Sequence, residues 1–245
     1  MILSRKHRYL FLHCRKAAGT SLKVALSRHF GPRDICLGAW QEIMQVRRFP
    51  NRQFVFDALN LTGSRRLVRD LVTTGHSEYF WHLNKQAYRK RLGVASSHPS
   101  AARIKATFPQ EWDSHFKFAI VRNPFAVAVS SWRQRHSRRG DDYLSFEDYM
   151  RAWSESETPQ YRDLPMRNWE VVAVDDKVEL DLVLRFESLE EDIRTLEQRL
   201  GLEIDMPQVN AAARQAAYRD YYDRDTRTLA ERMFARELDT FGYAF

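Results

Sequence analysis

Apolar residues along the chain recur in three blocks of one build: a short run without polar alternation, a polar turn, then apolar positions at helical spacing. The first block is Arg8 to Cys14, followed by Thr20 to Phe30 with Leu22, Ala25, Leu26 and His29 on one face, and Gly31 and Pro32 stop it. The second is FKFAIV (Phe116 to Val121), the turn RNP, and a helical run from Phe125 to Arg139 that ends at Gly140. The third is Leu182 to Phe186, then a helix carrying Leu189, Ile193, Leu196 and Leu200 and ending at Gly201. Strands that lack alternation are buried on both faces. With helices between them they predict a single α/β domain, a central mostly parallel sheet flanked by helices. Ligands in such folds sit at the carboxyl ends of the strands.

The intervening regions are less regular. Leu67 to Val72 and Lys85 to Leu92 read as helical, and Asp141 to Trp153 as an amphipathic helix with Ser145 as N-cap. Trp153 to Trp169 is polar with two prolines and reads as an exposed loop. No repeat or linker-like tract divides the chain, so one domain over residues 1–245 is expected.

A length of 245 residues with 44% hydrophobic positions is enough for a substantial core and excludes a largely disordered chain. Cys14 and Cys36 form neither a disulfide framework nor a metal-site pattern, so no metal is expected and a reducing, cytoplasmic setting is the default. The run YLFL behind Arg5, Lys6 and Arg8 is too short for a signal-peptide core, and no stretch approaches the roughly 18 apolar residues of a membrane span. The net charge of +7 suggests an anionic partner. Its distribution is sharper than its sum. Residues 1–33 hold 8 Lys or Arg and residues 117–139 hold 6, with no acid in either, while the rest of the chain is net acidic.

Those two segments contain the two strand-to-helix turns. CRKAAGTSL puts Lys16, Ala17, Ala18, Gly19, Thr20 and Ser21 where a helix begins, and the unpaired amides and dipole of a first turn favour an anion. Small residues admit a close approach, Lys16 adds charge, and the two hydroxyls add rotatable donors. Taken alone, the turn equally fits a capped helix with a solvated lysine. The GxxxxGK[ST] spacing of a nucleotide-binding P-loop is absent. In the second turn Arg122 follows the strand directly and Ser130 lies eight residues on, a guanidinium fork and a hydroxyl suited to a monophosphate. A cap plus a surface arginine is the alternative.

Two such turns in this order resemble those of the sulfotransferases that use 3′-phosphoadenylyl sulfate (PAPS). KxxGTS is similar to their 5′-phosphosulfate loop, and RNP with Ser130 to their 3′-phosphate motif. The stretch SSHPSAARIKATFPQEWDSHFKFAIVRNP, the segment LRFESLEEDIRTLEQRLGL and the tail YYDRDTRTLAERMFARELDTFGY resemble the carbohydrate-type members, the family 2-like group. The resemblance implies a P-loop-like sulfotransferase fold. It also implies sulfuryl transfer from PAPS to a hydroxyl or amine of a carbohydrate or other small molecule, leaving adenosine 3′,5′-bisphosphate (PAP). Carried over, Lys16 to Ser21 would hold the phosphosulfate, Arg122 and Ser130 the 3′-phosphate, and Lys16 would also steady the departing phosphate. His98, 24 residues before Arg122, stands where the family places its base.

Ser96, Ser97 and Pro99 around His98 depart from the family pattern, which leaves His76 in TTGHSEY as a rival base and Glu78 and Glu187 as further carboxylate candidates. Glu187 also reads as a first-turn carboxylate that stabilises its helix. Arg133, Arg135, Arg138 and Arg139 fit either a solvated helix end or attraction of an anionic substrate. Trp132, Trp153 and Trp169 fit either a flank for a sugar or the adenine or the core, and none is assigned to a site. The competing classes are a P-loop phosphoryl-transfer enzyme, which needs Mg²⁺ and a Walker loop, and a basic nucleic-acid-binding protein, for which no helix-turn-helix, zinc-finger or aromatic RNA-recognition signature is present.

Overall fold

Two of the three apolar runs that lack alternation are interior strands; the third, Leu182 to Phe186, forms an edge strand with only Leu184 of its first four residues buried, so it is not covered on both faces. In the computed structural model, which describes residues 1–59, 87–93, 97–155, 167–206 and 216–245, YLFL forms β2 (Tyr9–Leu12) and FKFAIV forms β4 (Phe116–Val121). They pair in parallel with Phe11 opposite Phe118, and their rings stack at 5.3 Å. On the other edge of β4, β7 (Leu182–Arg185) pairs in parallel, with Val121 opposite Arg185. All four residues of β2 are buried, as expected of a strand covered on both faces.

Two short strands complete the sheet and change its character. β1 (Ile2–Ser4) runs antiparallel to β2, and β3 (Ile35–Cys36) runs antiparallel to β1, giving the order β3, β1, β2, β4, β7. The centre is parallel as expected, and the sheet as a whole is mixed. Strands of three and two residues carry no periodicity, so the antiparallel edge left no mark in the pattern. A separate hairpin joins β5 (Ala173–Val174) and β6 (Lys177–Val178).

The helices follow the expected grammar with shifted ends. α1 (Gly19–Leu26) gives way to a 3₁₀ turn at Ser27–His29 instead of running to Phe30. α2 (Trp40–Gln45) and α3 (Arg52–Leu59) follow, and residues 87–92 are helical. The expected helix at Leu67 to Val72 lies outside the described residues, as does most of the expected loop, positions 156–166. α4 (Ala101–Thr107) and α5 (Pro109–Ser114) lead into β4. α6 (Pro124–Arg139) is followed by α7 (Phe146–Glu155), where the Ser145 hydroxyl accepts from the Asp148 amide at 3.1 Å, the predicted N-cap. α8 (Trp169–Val172), α9 (Leu189–Leu200), α10 (Arg224–Met233) and α11 (Ala235–Phe241) close the chain.

Buried side chains form two clusters. One gathers on the sheet and includes Phe11, Leu12, Trp40, Trp112, Phe118 and Ile120. The other joins α6, α7 and the tail through Phe125, Tyr149, Trp153, Ala230 and Phe234. At about 1.5–3 kcal/mol for each large apolar side chain removed from water, these clusters hold the strand ends in register. The parallel strands β2, β4 and β7 end side by side at Leu12, Val121 and Arg185, so the turns that follow them share one edge of the sheet.

Candidate active site

The first turn leaves β2 with an unusual backbone. Lys16 and Ala18 both occupy the left-handed region, at φ 59° and 57°. Side chains rarely adopt it, at a cost on the order of 1 kcal/mol each, and alternation into that region is the geometry of backbone anion nests. Ala18 is the N-cap of α1 and offers no side-chain cap, so neither Thr20 nor Ser21 closes the helix start. Thr20 is exposed and Ser21 half-buried at this amide-rich N-terminus.

Two side chains from elsewhere brace this backbone. The Arg15 amide donates to Asn168 Oδ1 at 2.7 Å, and Asn168 Nδ2 returns a bond to the Arg15 carbonyl at 3.1 Å. Arg122, at the end of β4, donates through Nη1 to the Lys16 carbonyl at 3.0 Å while its guanidinium lies 4.3 Å over the Phe186 ring. The two turns singled out in the sequence are thus tied to each other. Lys16 Nζ reaches Gln134 Oε1 on α6 at 3.5 Å, and Ser130 sits half-buried on the same helix. Half-buried Arg15 carries a buried Nε that has no hydrogen-bond partner among the described residues.

Asn123 and Glu187 fix how α6 leaves the sheet. Asn123 Oδ1 caps the helix by accepting from the Phe125 amide at 3.0 Å, Nδ2 donates to the Ala244 carbonyl at 2.9 Å, and the Asn123 amide donates to Glu187 Oε1 at 2.8 Å. Tyr243 donates its hydroxyl to the other Glu187 oxygen at 2.8 Å. Both Glu187 oxygens thus tie the start of α6 to the tail.

His98 packs against the first turn. Its Nδ1 lies 2.7 Å from the His13 carbonyl, and the two imidazole centroids are 4.3 Å apart. A carbonyl can only accept, so Nδ1 carries the proton and Nε2 keeps the lone pair. Burial, then the charges of Arg15 and Lys23, hold the His98 pKa well below the usual 6.5, so the ring is neutral at physiological pH. Burial and Lys23 depress His13 in the same way. Lys23 is fully buried on α1 and donates to the Leu37 carbonyl at 2.7 Å. The rival base His76 and Glu78 lie outside the described residues. Of the arginine run, Arg135 faces the Tyr149 ring and Arg139 the Tyr143 ring.

Three of these residues escaped the sequence. His13 continues an interior strand, Lys23 falls on an apolar helix face, and Asn168 is 153 positions from its partner Arg15. The strand-end position of His13 was the one available signal.

A family model described as the sulfotransferase family matches residues 1–244. The chain belongs to the sulfotransferase family. This sulfotransferase is also 33% identical over 109 residues to an uncharacterized protein of Archaeoglobus fulgidus, covering 42% of the present chain and 82% of the archaeal one. No solved structure matches it significantly. Membership makes the protein an enzyme that transfers sulfate from a sulfonate donor to a small-molecule acceptor, and it selects that chemistry over the phosphoryl-transfer and nucleic-acid alternatives. Among the described residues of this sulfotransferase, no group of three or more His, Cys, Asp or Glu is arranged to hold a metal, and no helix is long and apolar enough to cross a membrane. Both cysteines are free and buried, and burial pushes each thiol above its ordinary pKa.

Proposed function

We propose that the chain, as one domain over residues 1–245, moves a sulfuryl group from PAPS to a hydroxyl or amine of a carbohydrate or similar small acceptor, with His98 as the base. The observation that carries this reading is the bond from Arg122 to the Lys16 carbonyl, which joins the two anion-suited turns into one site beside a neutral imidazole. The donor set fits a doubly anionic ligand: uncapped first-turn amides, two hydroxyls, Lys16, Arg122 and the unpartnered buried Nε of Arg15.

Bound PAPS supplies an activated sulfuryl group and departs as PAP. Lys16, Thr20, Ser21 and the amides of Ala17, Ala18 and Gly19 hold the phosphosulfate end, and Lys16 offsets the negative charge that grows on the leaving phosphate. Arg122 and Ser130 hold the 3′-phosphate. His98 receives the acceptor proton at Nε2 as the new oxygen–sulfur or nitrogen–sulfur bond forms, and its Nδ1–H on the His13 carbonyl keeps that lone pair in place.

The test is transfer of labelled sulfate from PAPS to a panel of sugars, glycolipids, phenols and amines. His98→Ala should lower kcat by about 100-fold or more, the usual scale of a lost general base, with PAP affinity nearly intact. Because the His98 pKa is depressed, the wild-type base stays unprotonated as pH falls below 6.5, so kcat/KM should lose its acid limb only well below that value. Retained turnover in His98→Ala would move the base elsewhere, with His76 the next to be replaced.

A further inference from the structure

Gly19 begins the helix of the proposed donor loop, and what surrounds it is not open space. A Cβ at this position would stand 1.9 Å from His13 Cδ2 and 2.3 Å from His13 Nε2. No atoms approach so closely, so the imidazole fills the room a side chain would need. The same imidazole meets His98 at 4.3 Å between centroids, and Phe11, two residues earlier on the same face of the strand, stacks on it at 5.8 Å. His13 is buried, and its Nδ1 has no hydrogen-bond partner among the described residues.

We propose that His13 is the positioning residue of the proposed base: its ring, wedged between Gly19 of the donor loop and His98, and its carbonyl on His98 Nδ1 together fix where the His98 lone pair sits. Gly19 is then a glycine because His13 needs the space. A ring displaced from the loop side shifts His98 and admits water to it, so the geometry of the donor loop and that of the base are coupled through one side chain. The inference rests on the reading of His98 as base. Its physical core, the coupling of Gly19 to His98 through His13, can be tested without turnover.

The experiment is ¹⁵N imidazole NMR of His98 from pH 4 to 8 in the wild type, Gly19→Ala, His13→Ala, the double variant and His13→Phe, with PAP affinity of each measured by calorimetry. The wild type should show one Nδ1–H tautomer that is still neutral at pH 6. Gly19→Ala should raise the His98 midpoint by about one pH unit, a tenfold change in its proton affinity, and mix the tautomers. His13→Ala should raise it as far, and adding Gly19→Ala to His13→Ala should change nothing further. His13→Phe, which keeps a ring against His98, should hold the midpoint low. An unchanged His98 titration in Gly19→Ala and His13→Ala overturns the proposal, as does an equal effect of Gly19→Ala in both backgrounds. If His13→Ala does not fold, the remaining pair decides: Gly19→Ala must shift His98 and His13→Phe must not. Absence of PAP binding in the wild type would count against the donor reading alone and leave the histidine result standing.

Discussion

Arg122 commits one N–H to the Lys16 carbonyl and one face of its guanidinium to Phe186, which orients the rest of its fork at the sheet edge. Arg122→Ala removes the charge proposed to hold the 3′-phosphate and the brace on a backbone that Lys16 and Ala18 hold in the left-handed region. It should therefore weaken PAP binding at least tenfold, about 1.5–3 kcal/mol for a charge-assisted contact, as read by calorimetry. Arg122→Lys should recover only part of this, since an ammonium lacks the planar fork. Unchanged affinity in Arg122→Ala would refute its placement. Lys16, Thr20, Ser21 and Arg122 were legible because turn chemistry and charge mark them locally. Gly19 was legible only as a small residue that admits a ligand, and the His13 ring that fills its Cβ space lies in the preceding strand, out of reach of any local pattern. Asn168 was invisible for the same reason, being brought to Arg15 by the tertiary fold alone.

Helix α6 carries Ser130 and Gln134 to the site, and its first turn is held from four directions. Asn123 caps it, Pro124 starts it, Glu187 accepts the Asn123 amide, and the tail contributes the Ala244 carbonyl, with the Phe245 ring 5.0 Å from Phe125. Asn123→Ala loses the cap and leaves the Ala244 carbonyl without this donor, so about 1–3 kcal/mol of stability should disappear in urea denaturation. A change within about 0.5 kcal/mol, the ordinary scatter of surface substitutions, would show that the clasp does not hold the helix. The strand, turn and helix units were readable because long interior runs and glycine stops are local signals. The antiparallel edge and the clasp of the tail were not, since two- and three-residue strands lack a period and the role of Tyr243 depends on Glu187, 56 positions away.

At the scale of the molecule, the excess positive charge divides between the two ends of the sheet. Arg15, Lys16 and Arg122 stand at the carboxyl edge, whereas Arg5, Lys6 and Arg8 precede β2 at its other end, where Arg5 pairs with Glu111 and Lys6 donates to the His29 carbonyl. Only part of each basic segment therefore stands at the proposed donor site: Arg5, Lys6 and Arg8 serve the opposite edge, Lys23 is buried on α1, and Arg135 and Arg139 on α6 face the Tyr149 and Tyr143 rings. Two anion-suited turns locked together at one edge make PAP binding the central claim. Thermal unfolding with PAP at 100 times its Kd, without added metal, should show about 2.7 kcal/mol of stabilisation and a midpoint higher by several degrees, exceeding the effect of ATP with Mg²⁺ at equal concentration. No shift with PAP, or an equal or larger one with ATP and Mg²⁺, would contradict the account.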